Sequence, residues 1–211
     1  MAMEEEIIAS LALHVVVAPV LRQLEQDERN IAAVQTLRSA FRKAERNNPG
    51  LAQGFVAGVL EAEGVSTDLP ETLLRLACYD EEFQLTRQEP EFLALNEKAQ
   101  TLKVILSRIP DQIKDRSRFL QTIKDIASAI RELLDALNEV MKKHQQTIPR
   151  LREYKKSLET HKRVFVKSSK SFSDTLKRYF KDEQSENVFL SANRLINQTN
   201  ALLAFFISLD A

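Results

Sequence analysis

The sequence predicts an all-α protein. It is divided into a helical assembly module over residues 1–68, a linker helix or hinge over 69–90 and a four-helix bundle over 91–211. Three observations carry this. The first is FLQTIKDIASAIRELLDALNEVMKK at 119–143, where Phe119, Ile123, Ile126, Ile130, Leu133, Leu137 and Val140 step by three or four with no Gly or Pro between them. That spacing puts the apolar side chains on one stripe of a helix, which demands partner helices. The second is composition: 211 residues, 44% hydrophobic, with four Gly, six Pro and no Trp, argue against a loop-rich or all-β chain. The third is charge. Net charge is zero, but residues 1–95 hold 8 Lys+Arg against 16 Asp+Glu, and 96–211 hold 22 against 14. Balances of −8 and +8 mark two units with different partners, the second preferring acidic ligands.

The N-terminal elements are short. Residues 7–26 form a first helix, with Pro19 a kink or break. The apolar run IIASLALHVVVAPV at 7–20 follows an acidic leader, MAMEEE, where a signal peptide needs basic residues, and it is too short to span a bilayer. It reads as a buried or interface helix of a soluble, intracellular protein. Residues 31–47 form a second helix with the stripe Ile31, Val34, Leu37, Ala40/Phe41 and Ala44. Asn48 can cap, and Pro49 start, a third helix at 51–63, whose apolar end is Val59–Leu60. Thr67, Asp68 and Pro70 signal the start of ETLLRLACY at 71–79, and the acidic stretch 79–91 reads as a hinge or linker helix that could hold the halves apart. Few large apolar side chains precede residue 70. Such a half expects completion by another chain, although packing onto the C-terminal bundle is the competing reading.

The bundle follows. Its first helix is 90–109, with Phe92, Leu95, Ala99, Leu102 and Leu106 inward, ended by Pro110–Asp111. The second runs over about 112–146. A turn at Thr147–Ile148–Pro149 leads to the third, about 149–181, with Leu151, Tyr154, Leu158, Phe165, Phe172 and Leu176. The fourth starts at Ser185 or Asn187 and ends near 209.

One feature recurs on helices two and three. Lys124, Ala127 and Arg131 lie at i, i+3 and i+7, and Lys170, Ser173 and Lys177 repeat that spacing, a small side chain between two cations each time. Both ridges sit at the same angular offset from their apolar stripes. Folding the helices back at the turn sets Lys124 opposite Lys177 and Arg131 opposite Lys170, a frame roughly 10 Å long. A small-residue floor with cationic rims suits an acidic amphipathic helix laid in by its leucines. The plain alternative is two solvated faces, since Lys and Arg often only keep a helix soluble.

Other chemistry finds little support. There is no Gly-rich phosphate loop and no G-x-S-x-G turn, and His14, His144 and His161 are scattered, so surface or packing roles fit them. Cys78 is the only cysteine, which excludes an internal disulfide and fits a small buried hydrophobe. Glu81–Glu82 falls in a charged linker. No cofactor or metal is expected. Cations mixed with carboxylates and few aromatics make nucleic acid a poor partner.

The runs QTLRSAFRKAERNNPGL (35–51), LNEKA (95–99), FLQTIKDIASAI (119–130), KSFSDTLKRYFKD (170–182) and SANRLINQTN (191–200) resemble the programmed cell death protein 10 family, also called the cerebral cavernous malformation protein 3 family. The resemblance covers nearly the whole chain. It implies an N-terminal dimerisation domain and a C-terminal bundle like focal-adhesion-targeting domains, in a non-enzymatic adaptor. It implies homodimerisation, or exchange for the tails of germinal centre kinases of class III, through Leu37, Ala40, Val59 and Leu60. It implies that Lys124, Ala127, Arg131, Lys170, Ser173 and Lys177 bind leucine–aspartate helices of paxillin and of cerebral cavernous malformation protein 2, with striatin a further partner of the bundle. The implied location is cytoplasmic, with peripheral Golgi and plasma-membrane association. Arg131 and Val59 stand where the family pattern has Lys and Ile, and 144–162 is longer than in the family. The alternative is a peripheral membrane module that binds phosphoinositide head groups through the same basic ridges.

Overall fold

The computed structural model describes residues 11–79, 82–144, 148 and 153–210, and these are all-α, with no strand among them. A π-helical turn, Leu13–Val17, leads into α1 (Ala18–Leu24). A 3-10 turn, Glu28–Asn30, precedes α2 (Ile31–Asn47), followed by α3 (Leu51–Ala62) and α4 (Leu69–Leu76), which runs on as a 3-10 turn, Ala77–Tyr79. Then come α5 (Pro90–Ser107), the short α6 (Ile109–Gln112), α7 (Arg116–His144), α8 (Lys155–Asp182) and α9 (Ser185–Asp210).

Pro19 neither breaks the first helix nor stops it. It has no N–H to give to the Val15 carbonyl, and its ring crowds that carbonyl. The chain widens by one residue per turn just before it: the Ala18 N–H reaches back to the Leu13 carbonyl, the π pattern. The α2–α3 connection also differs from the expected cap. Asn48 and Pro49 lie in the turn, and Gly50 takes a left-handed φ of 100° that favours glycine. The buried Glu45 carboxylate accepts from the Gly50 N–H at 3.1 Å and the Ala52 N–H at 2.8 Å, so a side chain of α2 satisfies the start of α3. Asp68 caps α4 as its sequence position indicates, accepting from the Glu71 N–H at 2.9 Å.

Within 69–90, α4 and its 3-10 extension are helical, whereas 84–88 has no regular structure. This stretch lies against the bundle. Leu73 and Leu74 are fully buried, the Asn193 amide donates to the Pro70 carbonyl at 2.8 Å, Gln100 donates to the Cys78 carbonyl at 2.7 Å, and Asn96 accepts from the Leu85 N–H at 3.2 Å. Cys78 is half-buried rather than buried. A single apolar core runs from Leu11 and Val15 through Leu73 and Leu74 to Phe92, Phe165 and Phe206. The N-terminal unit therefore does share a core with the bundle, through its inner face.

In the bundle, α5 lies along α7, α8 along α9, and α9 also contacts α5 and α4. Phe92, Leu95, Ala99, Leu102 and Leu106 of α5 are all buried, as are Phe119, Ile126, Leu133, Leu137 and Val140 of α7 and Phe165, Phe172 and Leu176 of α8. Thr147, Pro149, Leu151, Glu81 and the first residues of the expected 7–26 helix lie outside the described residues. No described helix is long and apolar enough to cross a membrane.

Candidate protein-binding surfaces

Two surfaces leave the fold unfinished. The first lies between α7 and α8. These neighbours lack the extended close backbone approach that α5–α7 and α8–α9 show. They are joined at one end by the Phe119 ring against Tyr179 and Phe180, with centroids 5.5 and 5.8 Å apart, and at the other by Lys162 Nζ donating to Asn138 Oδ1 at 2.7 Å. Phe119 opposite Phe180 and Asn138 opposite Lys162 set the register: Lys124 lies level with about position 176, Ala127 with about 173 and Arg131 with about 169. Lys124, Ala127, Arg131, Lys170, Ser173 and Lys177 are all exposed. Half-buried Ile123, Ile130, Val166 and Ser169 lie between the ridges and the core.

Three of the four cations, Lys124, Arg131 and Lys170, have no carboxylate partner among the described residues. Lys177 pairs with Asp174 on its own helix at 2.9 Å, and this bond holds the Asp174 carboxyl below its ordinary range. Both members are exposed, so the pair is weak and open to exchange. Glu132, next to Arg131 in sequence, is engaged on the other flank by Lys98 of α5 at 3.1 Å. A corridor with unneutralised cations on both rims attracts an anionic partner, and its half-buried apolar floor offers that partner a dry seat.

The second surface is on the N-terminal unit. Leu37, Phe55 and Val59 are 46%, 52% and 45% exposed, which is a high cost for large apolar side chains in water. Ala40 is also exposed, and Leu60 is half-buried. Val16, Val20, Phe41, Phe55, Val59 and Leu60 line a cleft of about 380 Å³ whose walls are wholly apolar. Leu37 and Ala40 share the α2 face with Phe41 at helical spacing, so the cleft and the exposed ridge form one patch. Phe55 and Val20 were missed in the sequence. Phe55 stands at i−4 from Val59, a spacing that could have revealed it, whereas Val20 depends on the helix running on through Pro19.

The histidines pack. His14 meets the Phe83 ring edge-on at 4.8 Å and the Glu82 carboxylate at 2.7 Å, His144 lies against Phe92 and Glu91, and His161 against Phe205. Among the described residues no three His, Cys, Asp or Glu gather as a metal site.

Comparison with known proteins covers most of the chain. Residues 5–66 match a family described as "Programmed cell death protein 10, dimerisation domain", and residues 67–159 match "Programmed cell death protein 10, C-terminal". A Caenorhabditis elegans protein, "Programmed cell death protein 10 homolog", is 34% identical over 194 residues, which cover 88% of this chain and 87% of that one.

Proposed function

The chain belongs to the programmed cell death protein 10 family, and from that membership and its two unfinished surfaces we propose that it is a non-enzymatic adaptor. Its N-terminal unit, over residues 1–68, pairs through Leu37, Ala40, Val59 and Leu60 with a second copy or with a germinal centre kinase tail. Its bundle, over 91–211, receives leucine–aspartate helices of the kind in paxillin and cerebral cavernous malformation protein 2, and striatin is a further partner. The adaptor works in the cytoplasm and at Golgi and plasma-membrane surfaces through those partners.

One observation carries the bundle reading. Lys124, Ala127 and Arg131 on α7 stand in register with Lys177, Ser173 and Lys170 on α8, all exposed, across helices whose backbones do not close on each other. A bound helix sets its leucines on the floor and its aspartates against the rims. Such an open, partly charged site binds on the order of micromolar and weakens with salt.

The test is a titration of the full chain with a fluorescent leucine–aspartate helix peptide at low and moderate salt. Saturable binding that is lost in Lys124→Glu/Lys170→Glu supports the groove, and no binding by the folded wild type removes it. A phosphoinositide head group needs the same cations but not the small floor. Ala127→Leu separates the two. It should abolish peptide binding and leave attachment to phosphoinositide vesicles intact if both readings hold, whereas peptide binding that survives it means the groove is misplaced.

A further inference from the structure

Beyond the cationic frame, the corridor between α7 and α8 has two unlike ends. Stepping one heptad from the floor residue Ala127 toward the start of α7 reaches Leu120, and one heptad from Ser173 toward the end of α8 reaches Phe180. Both therefore continue the floor, on opposite walls at one level. Leu120 is 43% exposed and Phe180 41%. Phe180 is held by the rings of Phe119 and Tyr179, each with its centroid 5.8 Å away, and Tyr179 is anchored by its hydroxyl to the Ile113 carbonyl at 3.2 Å. One heptad the other way the floor is Leu134 and Val166, both half-buried, and then the Lys162–Asn138 hydrogen bond crosses from wall to wall. One end is thus apolar and open, and the other is polar and barred.

Single exposed apolar side chains are ordinary on a soluble protein. These two are not scattered. Among the described residues the bundle exposes four large apolar side chains, Leu93, Leu120, Tyr154 and Phe180, and two of the four, Leu120 and Phe180, stand at one level on neighbouring helices. Resting on the groove reading above, we propose that Leu120 and Phe180 form an apolar socket that takes one extra large hydrophobic side chain of the bound acidic helix. The occupant is a partner helix, because the socket is continuous with rims whose Lys124, Arg131 and Lys170 await negative charge. Distances along α7 fix its pattern. Lys124 is about 6 Å and Arg131 about 16 Å from Leu120 at 1.5 Å per residue. The ligand therefore carries a bulky apolar anchor with its acidic residues about four and about eleven positions away, on one side of the anchor only. From the socket to the Lys162–Asn138 hydrogen bond is about 27 Å, the length of a helix of about 18 residues, or five turns.

The experiment uses the full chain and two fluorescent peptides of about 18 residues, with leucines and aspartates in this pattern, one keeping the anchor leucine and the other with alanine there. Wild type should bind the alanine peptide about tenfold more weakly, as loss of a buried leucine implies. Leu120→Ala, whose side chain contributes little to the core, should bind both peptides alike, and Lys124→Glu/Lys170→Glu should bind neither. If wild type binds both peptides equally and still loses them in the charge variant, the groove stands and the socket is wrong. If wild type binds neither, the groove reading fails and takes the socket with it. If Leu120→Ala lowers the sedimenting mass of the protein while peptide discrimination stays unchanged, the socket serves a contact between copies and the proposal is overturned.

Discussion

Glu82 ties together segments that the sequence keeps far apart. Its carboxylate takes the His14 ring nitrogen at 2.7 Å on one oxygen and the Arg42 guanidinium on the other, joining the first helix, α2 and the segment before α5. The hydrogen bond from His14, with the charges of His14 and Arg42, outweighs partial burial and pulls the carboxyl down to about 2. The sign follows. A carboxylate with a folded pKa below its unfolded value stabilises the fold fully above about pH 4.5, and loses that contribution as pH falls toward about 2. Glu82→Gln should therefore melt below wild type at pH 7, and the two melting curves should converge between about pH 4.5 and pH 2. Glu91, held to about 2 chiefly by Lys143 and then by His144, adds its own acid sensitivity, but equally to both proteins. A melting gap that stays constant with pH would remove the charge from the account. In the sequence Glu82 read as a solvated linker residue and His14 as a surface or packing residue, because nothing periodic connects positions 68 apart.

At the scale of elements, what was legible followed from periodicity. The stripes of α5 and α7 and most of that of α8 were legible, because a long helix buried on one side repeats its apolar residues every three or four positions, but Tyr154, expected in the α8 stripe, is 48% exposed just ahead of that helix. The relative height of α7 and α8 was legible too, since a hairpin turn fixes which positions lie level. Local backbone chemistry was not. The π turn before Pro19 leaves no pattern beyond the proline itself. The start of α3 was assigned to Asn48 and Pro49, the usual residues for a cap, but Glu45 performs that task from within α2. A helix-interior glutamate is normally a solvated residue, and only the folding back of α3 makes it a clamp. Glu45→Ala leaves two helix-start N–H groups without their acceptor and should cost about 1–2 kcal/mol. That is a fall in Tm of about 2–8 °C for a chain of this size. Glu45→Gln, which keeps one acceptor oxygen, should fall between, and the exposed Glu63→Ala should not move. A Glu45→Ala melt equal to wild type would mean that water replaces the carboxylate at no cost.

Across the whole molecule the charge division legible in the sequence has a structural counterpart. The basic half exposes a cation-rimmed corridor, and the acidic half exposes apolar side chains. Whether the acidic half leaned on another chain or on the bundle was open in the sequence, because a short helix such as α4 gives no sign of which neighbour will bury Leu73 and Leu74. The fold uses both faces: the inner face joins the common core, and the outer face leaves Val20, Leu37, Phe55 and Val59 in water around an apolar cleft. A monomer rarely keeps such a patch bare, and a self-complementary patch is closed most simply by a twofold partner. The protein should therefore sediment as a dimer at micromolar concentration. Leu37→Asp/Val59→Asp sets a carboxylate on each wall of the patch, where burial against a second copy would strand it, at a cost of several kcal/mol. That variant should sediment as one chain, and its helicity should be unchanged because neither position lies in the core. The peptide binding proposed for the α7–α8 corridor should be the same in this variant as in wild type, since that corridor is built only from bundle helices. A dimer that survives the double substitution places the self-contact elsewhere on the surface. Loss of helicity together with the dimer would show that the outer face supports the fold of the single chain as well as its pairing.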